Sequence, residues 1–168
     1  MNTTPAMPIG RSDLVACLAA ADRDQVLGAA QRLCEGLTLT PLLPAESGLA
    51  LMQWTDALMH QPFFLGEVPM SRAAVALVDT HGRRVEGGAV VMADDAELAQ
   101  ALATLDAVFA SRWPGAETVD ALALSGQRAR ADLRAQRQAM LQRTRVDFSL
   151  LAQAGDDPTA ETVSKATP

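Results

Sequence analysis

The sequence predicts an α+β domain with a mainly antiparallel sheet of about four or five strands, on which N-terminal and C-terminal helices pack. Two helical patterns open the chain and a longer one lies near its end. Between them stand short apolar runs separated by turns of a few residues. Such connections are too short for the crossovers that parallel strands need, so they favour hairpins.

The first two elements are predicted to be helices. A helix capped by Ser12 would run to about Ala21 with its apolar residues on one face. Asp22 followed by Gln25 is typical of a capping box, which starts a second helix. Gly36 is expected to end that helix, because glycine readily takes the left-handed conformation found after a helix.

The middle of the chain is predicted to form the sheet. Five short segments there are apolar or alternate with period two, namely 37–40, 49–54, 63–68, 73–78 and 85–92. A turn is expected at Ala45–Gly48 and a loop between Thr55 and Pro62. Asp79–Gly82 predicts a hairpin turn, because Gly82 supplies a positive φ without strain.

The last third of the chain is predicted to be mainly helical. Asp94 or Asp95 is expected to cap a helix that continues to about Ser111. The segment Glu117–Leu124 is compatible with either a strand or a helix, whereas Gln127–Val146 has the spacing of a helix.

Length and composition limit the class of protein. The chain has 168 residues and a hydrophobic fraction of 49%, which predicts one domain at 11–151, a disordered N-terminus at 1–10 and a disordered tail at 152–168. A formal net charge of −6 argues against binding to nucleic acid or to an anionic membrane. No apolar run reaches the length of about 18 residues that a membrane span needs. Two cysteines are too few for a disulfide framework, so we expect a cytoplasmic protein.

The sequence contains no residue pattern typical of a free-standing enzyme. It has neither a Walker-type phosphate loop nor a dinucleotide-binding glycine motif. His60 and His81 fall in a predicted loop and turn, far along the chain from Cys17 and Cys34, which does not support a metal site. Ser71 lacks the flanking glycines of a hydrolase nucleophile. We therefore expect no catalytic residue, metal or cofactor on this chain.

The last predicted helix carries a row of arginines beside an apolar row. At 100° per residue, an arc of about 80° contains four of them, Arg130, Arg134, Arg137 and Arg145. One interpretation is a solvated face. The other is a surface for bidentate partners, either carboxylates of another subunit or phosphates.

Three segments in order carry a resemblance to a known family. They are Gly48–Met52, Pro62–Leu77 with its Leu-Gly-Glu and Arg, and the ending Thr144–Phe148. Together they resemble the PhnG family, the small subunit of the bacterial carbon–phosphorus lyase core complex, which breaks down phosphonates. The resemblance extends from about Arg11 to Leu151.

The chain departs from the family pattern in three places. Asp56–Gln61 occupies the position of a glycine-rich turn, and Ala93–Gln100 replaces a basic segment like Gly-Arg-Asp-Lys with an acidic one. The terminal Phe-Phe is reduced to Phe148-Ser149. If those basic groups contact a triphosphate or a partner in relatives, the resemblance does not extend to that contact.

The resemblance implies an accessory subunit of a multi-subunit transferase. In the family, this subunit works with three other core subunits and an ATPase-like accessory protein. Together they replace the adenine of MgATP with an alkylphosphonate, which gives a ribose 1-phosphonate 5-triphosphate. The displacement is attributed mainly to a larger partner, and the cleavage of the C–P bond to a radical-SAM iron–sulfur subunit. MgATP is then a substrate of the complex.

Six residues are candidates for contact with a partner or substrate: Gly66, Glu67, Arg72, Arg145, Asp147 and Phe148. Gly66 inside a strand pattern, with Pro69 shortly after it, predicts a bulge or bend that faces a partner. We expect Phe148 to be an interface anchor, because aromatic side chains dominate interface energetics.

Two alternatives to the interpretation as an accessory subunit stay open. An independent nucleotide-processing enzyme would use Glu67 with Arg72, but residues an odd number of positions apart face opposite sides of a regular strand. A generic protein-binding module is the other alternative.

Overall fold

The computed structural model describes residues 9–143. Within this range the chain forms four helices and one sheet: α1 (Arg11–Leu18), α2 (Arg23–Leu33), β1 (Thr38–Thr55), β2 (Pro62–Val78), β3 (Arg84–Val91), α3 (Ala96–Ser111) and α4 (Ala116–Arg143). The sheet has the order β1-β2-β3, and both neighbouring pairs are antiparallel. The mixed helix and strand content and the antiparallel pairing are as predicted. None of these helices is long and apolar enough to cross a membrane.

The predicted number of four or five strands is wrong, since the described residues contain three. The predicted segments 37–40 and 49–54, except for Leu37, lie in one 18-residue strand, and 63–68 and 73–78 lie in one 17-residue strand. The turn expected at Ala45–Gly48 does not form. Instead, the register shifts after Pro41 and again after Leu43, so the local irregularity is absorbed as bulges. An edge strand tolerates this, because one side of it needs no ladder partners.

The predicted helix starts were partly correct. Asp22 caps α2 by accepting a hydrogen bond from the Gln25 N–H, and Asp95 caps α3 by accepting one from the Leu98 N–H. Ser12, however, lies inside α1, which begins at Arg11 after Gly10. The ambiguous segment 117–124 is helical and forms the first half of α4. The predicted continuation to Val146 and most of both terminal segments lie outside the described residues.

The core lies between one face of the sheet and the helices. Helix α3 is buried all round from Ala101 to Phe109, which is typical of a helix surrounded by other elements. On the sheet, Ala73, Val75 and Leu77 of β2 are buried on a single face. We call this face the helix-covered face and the other one the open face.

Close backbone contact sets the distance between α3 and the sheet. A Cβ atom at Gly87 of β3 would overlap the backbone of Ala103 and Ala107. Gly126 of α4 similarly lies against the backbone of Cys17 in α1. Glycine is required at both positions because any side chain would push the elements apart.

The chain divides after Asp132 into two compact units. The first contains the sheet, α1 to α3 and the first part of α4. The described part of the second is the end of α4, whose residues from 133 to 143 are all exposed.

Candidate partner interface

The β1–β2 hairpin extends well beyond the third strand. Pairing between β2 and β3 ends at Ser71, which lies opposite Val91. Strands β1 and β2 remain paired as far as Thr55 and Pro62. The residues from 49 to 70 therefore form a two-stranded ribbon, which we call the distal hairpin.

Large apolar side chains are exposed on both faces of the distal hairpin. Leu51 lies opposite Glu67, and Phe64 lies opposite Gln53. Because cross-strand partners share a face, both side chains lie on the continuation of the helix-covered face, where they are 57% and 61% exposed. Trp54 and Phe63 lie directly opposite each other on the open face and are 57% and 46% exposed. Of the two Trp and four Phe in the chain, three stand here. Within the unit that the structure describes from residue 9 to residue 132, these side chains are left exposed on both faces.

A defined turn displays two more apolar residues at the tip. The Asp56 carboxylate accepts hydrogen bonds from the N–H groups of Leu58 and Met59, and these bonds lower the pKa of Asp56. His60 closes the turn in the left-handed region at φ 53°. Leu58 and Met59 are exposed by 84% and 65%. An Asx turn with His60 thus forms the connection between β1 and β2.

Gly66 forms the predicted bulge. Met52 pairs with Gly66 and Gln53 with Phe64, so Leu65 is the extra residue of the β2 strand. Gly66 has φ 136°, a conformation that L residues rarely adopt. Glu67 follows opposite Leu51 and is exposed. The bulge re-aims the end of the hairpin, which is where the exposed aromatic residues lie.

Pro69 also fits its position. It lies opposite Leu49 in the two-stranded part of the sheet, beyond the last pair of β2 with β3. A proline has no N–H to donate, and at this position no hydrogen bond to β3 is lost because β3 does not extend this far.

Ser71 anchors the base of the distal hairpin. Its side chain is fully buried, donates to the Ala93 carbonyl oxygen at 2.7 Å and accepts from the Asp95 N–H at 2.8 Å. The Ser47 hydroxyl oxygen lies 2.7 Å from the Ser71 hydroxyl oxygen. These bonds join β1, β2 and the start of α3. A buried hydroxyl with all its bonds made is a structural tie.

Arg72 and Glu67 are not brought together. Arg72 lies on the open face, where its Nε atom donates to Glu46 at 2.6 Å. Glu67 lies five positions away along a stretch of β2 with unbroken register, and therefore on the opposite face. Both side chains are exposed. An open cavity of about 470 Å³ beside the Arg72–Glu46 pair is lined by Gly48, Met70 and Val90 among others.

Three of the candidate residues, Arg145, Asp147 and Phe148, lie outside the described residues. Between 9 and 143, no three His, Cys, Asp or Glu side chains lie close enough together to hold a metal ion. Cys17 and Cys34 are free thiols, and burial raises the pKa of Cys34. Asp95 caps α3. Arg23 of α2 donates to Asp95 and to Glu97 at 2.6 and 2.9 Å, which ties the start of α3 to α2.

Sequence reasoning missed most of the exposed hairpin residues. Leu51, Trp54 and Phe64 stand in apolar runs, and such runs predict strands without telling whether a face is covered. The available signal was the concentration of aromatic residues around one loop in a chain that is only 4% aromatic. That concentration is typical of an interface rather than of a core distributed along the chain.

The fold and this surface define a class of protein: a two-layer α+β chain with a long hairpin that displays apolar side chains on both faces. The model of the family described as phosphonate metabolism protein PhnG matches residues 10–153. The chain therefore belongs to the PhnG family, and its role lies in phosphonate metabolism. A comparison with curated proteins gave no match.

Proposed function

We propose that this chain is an accessory, structural subunit of the carbon–phosphorus lyase core complex, and that a partner subunit covers its distal hairpin. Membership of the PhnG family supports the assignment to phosphonate metabolism. The single observation that carries the subunit role is the exposure of Leu51 and Phe64 on one face and of Trp54 and Phe63 on the other.

The energetics of the hairpin favour a covered state. A two-stranded ribbon is marginally stable in water on its own. Soluble monomers rarely expose contiguous apolar patches larger than a few hundred Å². Trp, Tyr and Arg residues are the commonest hot spots of interfaces, and Trp54 stands near the end of the ribbon. Because both faces are apolar, the partner has to enclose the hairpin rather than touch one side of it.

In the proposed complex, MgATP and an alkylphosphonate are substrates, adenine is displaced, and the product is a ribose 1-alkylphosphonate 5-triphosphate. The partner subunits supply the catalytic groups, and this chain contributes a surface that holds them in place. It carries no cofactor of its own and acts in the cytoplasm as part of a hetero-oligomer.

The independent-enzyme alternative has no specific observation in its favour. It relied on Glu67 acting with Arg72, and these side chains point to opposite faces of β2. Arg72 is moreover engaged by Glu46.

The test is co-purification from cells that express this chain together with the other core subunits, with an affinity tag on a partner. One substitution addresses each face, Leu51→Asp and Trp54→Asp. Leu42→Asp is the matched control, because Leu42 is also exposed, at 46%, but lies outside the distal hairpin on β1. We expect both hairpin variants to be lost from the complex and the control to be retained.

Retention of both hairpin variants at the wild-type level would contradict the proposed docking surface. Failure of the wild-type chain to co-purify would contradict the subunit role itself. Conversion of ATP to adenine by the isolated chain, abolished by Glu67→Gln, would favour an independent enzyme instead.

A further inference from the structure

The packing stripe of α4 continues past the point where its residues are buried. Ala116, Val119, Ala123 and Gly126 are buried and are spaced alternately by three and four residues. The same spacing leads on to Arg130, Leu133, Arg137 and Met140. Spacing of this kind keeps one side of a helix against a neighbouring element over many turns.

The continued stripe is exposed although its composition suits packing. Leu133 is 46% and Met140 67% exposed, and Arg134 and Arg137 are exposed beside them. The opposite side of the same turns carries only small or polar residues, among them Ala131, Ala135, Gln138 and Gln142. We call Leu133, Arg134, Arg137 and Met140 the terminal patch.

Charge is strongly separated along the chain. Residues 127–143 contain five Arg and one Asp, whereas residues 9–126 contain seven Arg and fifteen Asp or Glu. Among the described residues, neither Arg134 nor Arg137 has an acidic side chain within ion-pair distance. The planar guanidinium group of arginine is suited to bidentate binding of a carboxylate.

We infer that the terminal patch is a second docking surface, which binds a partner subunit presenting an apolar groove flanked by carboxylates. The apolar pair Leu133 and Met140 would enter the groove, and Arg134 and Arg137 would bind the carboxylates in bidentate fashion. A protein with a few carboxylates beside an apolar groove fits better than nucleic acid or an anionic lipid surface, because the strongly acidic rest of the chain would repel an extended polyanion. The inference rests on the proposed function and adds to it a surface of different chemistry.

The experiment uses the co-expressed complex, with the tag on a partner subunit and washes from about 0.05 M to about 0.5 M NaCl. Arg134→Glu and Arg137→Glu reverse one charge each while keeping good helix formers. Arg32→Glu is the matched control, because Arg32 is exposed on α2. Circular dichroism checks that the helix content is unchanged.

We expect each patch variant to reduce the retained chain at least about fivefold at the lower salt concentration, where charge pairs are screened least, and the control to behave as wild type. Equal retention of the patch variants and of Arg32→Glu would overturn the inference. The proposed function would still stand in that case if the wild type co-purifies and Leu51→Asp and Trp54→Asp do not. Failure of the wild type to co-purify would overturn both.

Three further measurements exclude other occupants. Light scattering measures the oligomeric state of the purified chain. A dimer of the wild type that is absent in Arg137→Glu would overturn the inference in favour of a second copy of this chain. Binding to phosphatidylglycerol vesicles, or to double-stranded DNA, that is lost in the same variant would overturn it in favour of a lipid or nucleic acid. The expected result is no patch-dependent binding in any of the three.

Discussion

Arg11 at the start of α1 donates two hydrogen bonds to the buried carboxylate of Asp106 in α3, at 2.9 and 2.7 Å and 95 positions along the chain. The same carboxylate accepts a bond from the Gly88 N–H of β3 at 3.1 Å. One side chain thus joins the first helix, the central helix and an edge strand. Charge-assisted bonds of this geometry are stronger than neutral ones.

We expect Asp106→Ala to lower the free energy of unfolding by about 2–3 kcal/mol, because charge-assisted bonds are lost and the Gly88 N–H loses its acceptor. Equilibrium urea unfolding of the purified chain measures the change. Asp24→Ala is the control, since the Asp24 side chain is 93% exposed. Equal effects of the two substitutions would show that the buried carboxylate contributes nothing.

The cap of α3 predicts a pH dependence. Hydrogen bonds from Arg23 and from the Leu98 N–H hold the pKa of Asp95 below its ordinary value. A carboxylate with a lowered pKa in the folded state stabilises the protein above about pH 4, and this contribution is lost as the pH falls through the folded pKa. The stability difference between wild type and Asp95→Asn should therefore be greatest at neutral pH and shrink in acid. Urea unfolding of both proteins between about pH 3 and about pH 7 measures this difference, and a difference that stays constant with pH would contradict the prediction.

Two neighbouring glycines of β3 should respond differently to the same substitution. An alanine Cβ at Gly87 would overlap the backbone of α3, whereas at Gly88 the nearest atom is the Ala73 carbonyl oxygen at 3.7 Å. We expect Gly87→Ala to lower the free energy of unfolding by about 2–3 kcal/mol. Gly88→Ala should change it by less than about 0.5 kcal/mol. Thermal unfolding compares the two, and similar melting temperatures would contradict the close approach of helix and strand.

The tip of the distal hairpin depends on the left-handed conformation of His60. A β-branched residue is strained there, so we expect His60→Val to speed hydrogen exchange of the Asp56 amide about tenfold. That amide is bonded to the Gln61 carbonyl oxygen across the turn. His60→Gly should slow the exchange or leave it unchanged. His81→Val is the control in a different turn, and an equal effect of both Val variants would contradict the prediction.

Phe148 stays a prediction from the sequence, because it lies outside the described residues. As an interface anchor, its replacement by alanine should weaken assembly with the partner subunits by about 1–3 kcal/mol. The melting temperature of the isolated chain should change much less. A large drop in that temperature with unchanged assembly would mean that Phe148 packs within its own chain.

Local signals predicted the parts of the fold that local chemistry determines. Asp22 and Asp95 cap helices because a side-chain oxygen satisfies a free N–H within three residues. The turn at Asp79–Gly82 formed as expected because glycine was already in place for a positive φ. Ala45–Gly48 carried an equally good turn signal, but the long ladder with β2 outweighed it. Pairing between distant strands is not visible in a short window of sequence.

The candidate site was predictable only in part. The bulge at Gly66 followed from a glycine inside an apolar run, and the opposite facing of Glu67 and Arg72 followed from strand alternation. The exposure of Leu51 and Trp54 did not follow, because it depends on where the helices end above the sheet. Hydrophobic pattern alone treats a core and an uncovered interface alike.

The two-sided distal hairpin has a consequence for the cell that makes this protein. On the proposed assembly, any copy produced in excess of its partner is an orphan with Trp54, Phe63 and Phe64 in contact with water. Such a copy is open to self-association, to chaperones and to proteolysis. Matched synthesis of the subunits, rather than the stability of this chain alone, would then set how much of it persists.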